Sequence, residues 1–294
     1  MSELRVSVVI PHYDDLDRLD LCLARLGKQT LPADDFEIVV ADNASPVGAA
    51  AVATAIAGRA RLVVVAEKGA GPARNAGVAA SRAPLLAFVD ADCVPEPGWL
   101  AAGLAALDRF DVAGGAVTVL VESPRMSGAE AFETVFAFDM RSYVERKGFA
   151  GTGNLFCSRA TFDAVGPFRT GVSEDVEWSH RATGKGFRLG YAADAVVGHP
   201  ARRDWAELTR KWRRTNCERY LLERGRRLGV LRWLAWTALL PVSIAVHAPR
   251  IFTHPALPDG AARLRALGTL ARLRLWRMGD ALGLLLGGGM GGPH

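Results

Sequence analysis

Cysteine is scarce and unclustered in this chain. Among 294 residues there are four, Cys22, Cys93, Cys157 and Cys217, with no C-x-x-C spacing. That usage argues against a structural zinc site or a disulfide framework and fits a reducing compartment. The opening MSELR runs straight into the apolar VSVVI, without the length or cleavage site of a signal peptide. The active domain is therefore expected in the cytoplasm. A strong charge imbalance is missing too, since the formal net charge is only +5. The basic residues lie beside leucine and tryptophan runs with no recognition module, which sets nucleic acid aside as a partner. No apolar run spans a bilayer: Trp233–Ala248 is free of acidic and basic residues except His247, but it falls short of the ~20 residues a helix needs, and Pro241 interrupts it. A dinucleotide fingerprint is absent as well, because KGAGPARNAG places its third glycine, Gly77, out of register for G-x-G-x-x-G.

What the chain does have is apolar residues, at 50%, enough for a sizeable core and too many for wholesale disorder. Short β-branched runs at Val6–Ile10, Glu37–Ala41, Arg61–Ala66 and Leu85–Val89 alternate with helical spacing. Leu16, Leu19, Leu23 and Leu26 recur at intervals of three and four, and alanine-rich segments at 47–58 and 72–82 read as helices. Strands alternating with helices predict an α/β fold with a mostly parallel sheet, and continuously apolar strands predict burial on both faces. In such sheets ligands bind beyond the carboxyl ends of the strands. Those ends carry Pro11, His12, Tyr13 and Asp14, then Asp42 and Asn43, then Lys68 and Gly69, and finally Asp90, Ala91 and Asp92.

The alternation stops near residue 111. DVAGGAVTVLVE reads as a further strand and 127–146 as one helix carrying Phe132, Phe136, Phe138 and Tyr143. Ten basic residues follow between Arg202 and Arg227, then the uncharged stretch, then a second basic and apolar segment at Arg263–Leu286. The expected organisation is a nucleotide-sugar-binding half at 1–110 and an acceptor-binding, catalytic half of the same domain at 111–201. A helical extension at 202–287 and a disordered tail at 288–294 complete it.

The chemistry centres on Asp90 and Asp92. Two carboxylates at i and i+2 beyond a strand can converge on a hard cation such as Mg2+ or Mn2+ that also takes phosphate oxygens. They can equally cap the turn before Pro95 and Pro97. Taken alone, the pair leaves both readings open.

Five blocks in order decide between them. SVVIPHYDD, EIVVADNAS, GAGPARNAGVAAS, FVDADCVPEPGWL and VSEDVEWSHRATGKGFRLGY together resemble the glycosyltransferases of family two, over residues 5–200 or so. The resemblance implies a GT-A fold, a Rossmann-like, mostly parallel sheet flanked by helices, with the amphipathic helical extension appended. It implies an inverting transfer of sugar from a nucleotide-diphosphate donor, and a divalent metal to offset charge on the leaving diphosphate. Carried over residue by residue, Pro11, His12, Tyr13 and Asp14 line the donor, and Asp42 contacts the base. Arg74 reaches toward the nucleotide and Asn75 fixes the loop. Asp92, with Ala91 beside it, is the direct metal ligand, Asp90 assists through metal, water or ribose, and His199 is a further ligand. Asp175 is the general base for the acceptor hydroxyl, and Glu174 orients its loop; as a residue pattern alone, the two also suit a helix N-terminus. Trp178 stacks on an acceptor sugar or belongs to the core. Two departures from the family pattern, His12 for a small residue and Asp14 for asparagine, lie near the expected base.

The extension is read as lying on a membrane surface, arginines toward anionic headgroups, with Trp233, Trp236 and the leucines at the acyl boundary. Contact with a second subunit, giving a homodimer, competes with that, as does a lid of Arg202, Arg203 or Arg213 over the donor diphosphate. The expected function is metal-dependent transfer to a hydroxyl of a glycan or lipid-linked acceptor in surface polysaccharide synthesis, peripheral at the inner face of the plasma membrane. UDP is the default nucleotide, with GDP and dTDP open. A sugar-phosphate nucleotidyltransferase would carry a glycine-rich basic loop where this chain has PHYDD. A non-catalytic nucleotide-sugar-binding protein would have little use for Glu174 and Asp175.

Overall fold

The computed structural model describes residues 4–170 and 173–287, so the tail expected to be disordered, 288–294, lies outside the described residues. In chain order the elements are β1 (Val6–His12), α1 (Leu16–Leu26), β2 (Phe36–Asp42), α2 (Ala49–Ile56), β3 (Arg61–Val64), α3 (Ala70–Ala80), β4 (Leu85–Val89), β5 (Val94–Pro95) and α4 (Trp99–Ala106). There follow β6 (Val112–Leu120), α5 (Gly128–Phe136), α6 (Met140–Lys147), β7 (Asn154–Ser158), α7 (Arg159–Val165), α8 (Glu174–Gly184) and β8 (Leu189–Pro200). The chain closes with α9 (Trp205–Arg224), α10 (Gly229–Thr253) and α11 (Gly260–Leu285).

Two compact units emerge, Met1–Thr118 with Phe138–His199, and Val119–Ala137 with Pro200–His294. The first is the α/β body. Its sheet runs β3-β2-β1-β4-β7-β6-β8-β5. The strands β1 to β4 pair in parallel, whereas β7 lies antiparallel to β4 and β6, and β5 antiparallel to β8. Side chains alternate faces along a strand, and both faces are covered. Val8, Ile10, Ala87 and Val89 pack with Leu19 and Leu23 of α1, Val52 of α2 and Trp99 of α4. Val9, Leu86 and Phe88 pack with Val78 of α3, Phe162 of α7 and Trp178 of α8. This two-sided burial is why the strands read as unbroken apolar runs.

The segment expected as one helix over 127–146 is two, α5 and α6, assigned to different units. Phe138 between them takes a left-handed φ of +55°, which ends the helical ladder. The side chain of Asp139 then accepts from the Ser142 amide and caps the next helix.

In the second unit α5 buries Ala129, Phe132 and Val135 against Leu208, Ile251, Ala266, Leu270 and Leu273. Buried Glu133 accepts from Arg202 Nη1 at 2.8 Å and Lys211 Nζ at 3.0 Å, Arg203 pairs with Glu122, and Arg213 lies 3.4 Å from Asp280. The three arginines considered for a lid are thus engaged inside this unit. The helix α10 corrects another expectation, because it continues through Pro241 and Pro249 for 25 residues. Turns containing Arg232 and Arg250 extend the uncharged stretch at either end, so α10 is long and apolar enough to cross a membrane by length and composition.

Gly77 explains the last glycine of its motif. A Cβ there would sit 2.5 Å from Val9 Cγ1, so α3 lies against β1 only without a side chain. Gly77→Ala is expected to destabilise by about 1–3 kcal/mol through overpacking. Gly268→Ala, in open space on α11, should stabilise by roughly 0.5–1 kcal/mol through helix propensity. Urea midpoints followed by circular dichroism check both, and equal shifts would contradict the packing argument.

Candidate functional site

The rim begins where β1 and β2 end in register, His12 opposite Asp42. His12 Nδ1 lies 2.8 Å from Asp42 Oδ1, and the Asp15 amide donates to His12 Nε2 at 3.3 Å. An acceptor at Nε2 puts the ring proton on Nδ1, facing the carboxylate. Asp42 also accepts from Ser45 Oγ at 2.5 Å and from the Ser45 amide at 3.1 Å, and it is fully buried. Its carboxylate thus ties the first and second loops together. Asn43 does the same for the third loop, donating to Val65 and Glu67 carbonyls and accepting from the Gly69 amide. Pro11 is half-buried, and Tyr13 stands on the rim, 55% exposed. Asp14 beside it has a φ of +52°, with its amide bonded to Ser45 Oγ.

Arg74 is the buried centre of the site. It sits on α3, whose entry at Gly69 needs a φ of +127° that favours glycine. Its Nη2 donates to Asp90 Oδ1 at 2.5 Å and its Nη1 to Glu174 Oε1 at 2.9 Å, while Nε is buried without a hydrogen bond. Burial pulls its pKa down, but the Asp90 and Glu174 carboxylates outweigh that and hold it above the ordinary arginine value. Both terminal nitrogens of Arg74, the residue expected to reach toward the nucleotide, face protein carboxylates in this structure. Asn75 fixes the 166–169 loop as expected, with two 2.9 Å hydrogen bonds to the Phe168 backbone.

Beyond β4 the Cys93 amide donates to Asp90 O at 3.0 Å, closing a turn that sends its two carboxylates apart. Asp90 faces Arg74 and the bare backbone of Gly153, where a Cβ would meet Asp90 Oδ2 at 2.7 Å. Asp92 faces His199, Nε2 to Oδ2 3.3 Å. The antiparallel pairing of Val94 with Gly198 delivers that histidine, because it sets His199 level with the start of β5. Phe138 packs its ring on His199, centroids 4.6 Å apart. Burial raises the Asp92 pKa above the usual carboxylate range, with His199 opposing and Asp90 reinforcing the shift. Burial, with both aspartates nearby, also pushes the thiols of Cys22 and Cys93 upward, so they stay protonated and inert.

Among the described residues no group of three or more histidine, cysteine, aspartate or glutamate side chains is arranged to hold a metal ion. The expected trio is split: Asp92 and His199 meet, while Asp90 belongs to Arg74. A carboxylate beside an imidazole still supplies two adjacent donors, leaving the remaining positions of a divalent cation for phosphate oxygens and water. The donor set fits that use.

On α8, Glu174 and Asp175 occupy the first turn. Asp175 is half-buried, its Oδ1 accepts from the Val176 amide at 2.8 Å, and burial raises its pKa. Of its two readings, Trp178 takes the core one in this structure. It is fully buried, packs on Phe162 and Phe168, and donates from Nε1 to Gly166 O at 2.9 Å. Asn154 escaped notice, although GTGNL marked the place. Fully buried, it donates to Ala116 O and Ala195 O and accepts from Trp99 Nε1, fastening β6, β7, β8 and α4 behind the site. Phe138 carried no signal at all, since its left-handed turn is not a sequence pattern.

The profile of Glycosyl transferase family 2 matches residues 7–172. The chain is 33% identical over 214 residues to glycosyltransferase AglE of Haloferax volcanii, covering 70% of each. It is 37% identical over 105 residues to validoxylamine A glucosyltransferase of Streptomyces hygroscopicus subsp. jinggangensis, covering 34% of this chain and 25% of that one. Among solved structures, the mannosyltransferase PcManGT from Pyrobaculum calidifontis, in complex with GDP-Man and Mn2+, superposes with a TM-score of 0.52 at 19% identity, over 99% of this chain and 76% of that one. This last likeness speaks for the GT-A fold.

Arg74→Met should cost about 2 kcal/mol. That is less than the 3–5 kcal/mol for breaking a wholly buried pair, because Asp90 and Glu174 are 35% and 27% exposed. Chemical denaturation measures this, and a loss near zero would mean the bridge is not held in solution.

Proposed function

The chain belongs to glycosyltransferase family 2, and on that premise we propose that it moves a sugar from a nucleotide diphosphate to a hydroxyl of a glycan or lipid-linked acceptor, with inversion and with a divalent metal. The observation that carries this reading is the Asp92–His199 pair standing beside the Arg74 bridge that joins Asp90 to Glu174.

The donor lies across the rim, its nucleotide toward Tyr13 and Asp14 and its diphosphate toward Asp92. Asp92 and His199 would hold the metal, and Mn2+ or Mg2+ there would supply positive charge to offset that of the departing diphosphate. The Mn2+ in the Pyrobaculum mannosyltransferase complex supports the use of a divalent metal, and UDP is the default nucleotide. Asp175 accepts the proton of the acceptor hydroxyl as that oxygen attacks the anomeric carbon from the face opposite the phosphate. The bond from the anomeric carbon to the phosphate oxygen breaks, and the nucleotide diphosphate leaves. Arg74 keeps Glu174, and through it the first turn of α8, in register with Asp90. His12 and Asp42 shape the base end by holding the first loop.

The second unit supports a place on the cytoplasmic membrane surface. On α10 the large aliphatics Leu231, Leu239, Val242 and Val246 are exposed, while α11 carries Arg265, Arg272, Arg274 and Arg277 along its length. A helix pair so basic along one member suits the interface rather than the hydrocarbon core.

Transfer assayed with and without EDTA tests the metal. Activity should be lost on chelation, restored by Mn2+ or Mg2+, and reduced more than about a hundredfold in Asp92→Ala; equal turnover with EDTA would overturn the assignment. Asp175→Asn should keep donor affinity and lose transfer by roughly 10²–10⁴-fold. A raised Asp175 pKa means the proton is retained to higher pH, so the base form is lost early as pH falls. The acid limb of kcat/KM should therefore lie above the ordinary carboxylate value of about 4, and a limb at or below it would move the base elsewhere.

A further inference from the structure

A cavity of about 190 Å³ in the second unit is lined by Trp236, Leu239, Leu240, Ser243, His247 and Arg274. Five of these come from α10 and only the arginine from α11. The Arg274 Nε is buried without a hydrogen-bond partner, and no carboxylate pairs with this side chain among the described residues. Two further guanidiniums gather on the same tryptophan. Arg219 lies 4.3 Å and Arg277 5.2 Å from the Trp236 ring, and Arg277 also covers Trp212 at 4.0 Å. Buried Arg277 donates Nε to Asn216 Oδ1 at 3.0 Å. Burial, then Arg274 and Arg219, push its pKa down to about 9, against Asp280 alone. That aspartate is already shared between Asn216 and Arg213.

Arg274 is half-buried, with its Nε enclosed and no carboxylate beside it among the described residues, so an anion at the cavity would offset the cost of that enclosure. The cavity's surroundings say which anion. Leu239, Val242 and Val246 follow one another at helical spacing on α10 and are 60%, 59% and 71% exposed. Only 22% of this helix's apolar window is buried within the protein. A soluble anion would leave those aliphatics in water, whereas a headgroup at a bilayer surface answers both the charge and the apolar face.

We propose that the α10–α11 cavity binds the phosphate headgroup of an anionic membrane lipid, with Arg274 as its ligand and Leu239, Val242 and Val246 entering the acyl boundary. The site rests on the membrane-surface reading above and gives it a chemical address. Arg219 and Arg277, stacked on Trp236, hold the cavity wall and add positive potential.

Co-sedimentation of the full chain with vesicles of phosphatidylcholine alone, and with phosphatidylglycerol added, tests this. Wild type should prefer the anionic vesicles, and Arg274→Gln should lose at least about fivefold of that preference, with Arg274→Lys retaining most of it. Ser243→Asp places a carboxylate in the cavity as an internal counter-ion, so it should abolish the preference while keeping or raising Tm. This keeps the test decisive should Arg274→Gln fold poorly. Arg227→Gln, which removes an equal charge at an exposed position, should matter little; an equal loss there would replace the site with diffuse attraction. Equal binding of wild type to both vesicles would overturn the headgroup site and leave membrane association standing, and binding to neither would overturn both. A rise in Tm with inorganic phosphate alone that matches the anionic vesicles would assign the cavity to a free anion instead.

Discussion

One buried guanidinium sets the geometry of the active rim. Arg74, on the helix after the third strand, reaches a carboxylate beyond the fourth strand and another at the start of α8, a hundred residues later in the chain. Neither contact is replaceable by solvent, because the guanidinium is almost wholly enclosed and an unpaired charge there would be heavily penalised. The bridge fixes where Asp90 points, so the next turn of chain aims Asp92 the other way, toward His199. It also fixes Glu174, and with it the neighbouring Asp175. The two carboxylate clusters, Asp90 with Asp92 and Glu174 with Asp175, therefore share one fastening.

The rest of the α/β body serves that fastening. A sheet covered on both faces holds β1, β2 and β4 parallel, so their carboxyl ends emerge together. The His12, Asp42 and Ser45 network binds two of the emerging loops, and Asn43 binds the third. On the far side Asn154 cross-links three strands and a helix beneath the aspartates. A transferase gains from this rigidity, because stabilising charge on a leaving diphosphate depends on groups placed before the charge develops.

Much of this could be read from residue order. Unbroken apolar runs and leucines at three and four located β1, β2, β4 and α1, and the polar residues that follow the strands marked the rim. The motif blocks pointed to Asp92, Glu174 and Asp175, and the family position in VVGHP pointed to His199. Side-chain direction was not legible. Asp42 and Arg74 look like ligand-facing groups because both are polar at a strand or helix end, yet each spends its hydrogen bonds on the protein. Trp178 has the helical position of a platform but the burial of a core residue. The break at Phe138 depends on a left-handed backbone that an unbroken aromatic pattern conceals, and α10 outran the apparent stop at Pro241 because its neighbours supply helical turns on both sides. Burial and backbone sign are set by long-range packing, which local periodicity does not carry.

The second unit follows a different logic, with aliphatics turned outward on one helix and arginines stacked on tryptophans along its neighbours. Such an arrangement suits an enzyme whose acceptor is presented at an interface. The central claim, however, concerns the rim. A crystal structure with a nucleotide-diphosphate sugar and Mn2+, phased to reveal the manganese, tests it most directly. The account predicts anomalous density between Asp92 and His199, the diphosphate against it, and Arg74 still joining Asp90 to Glu174. Manganese placed away from Asp92, or Arg74 released onto the phosphates, would contradict it.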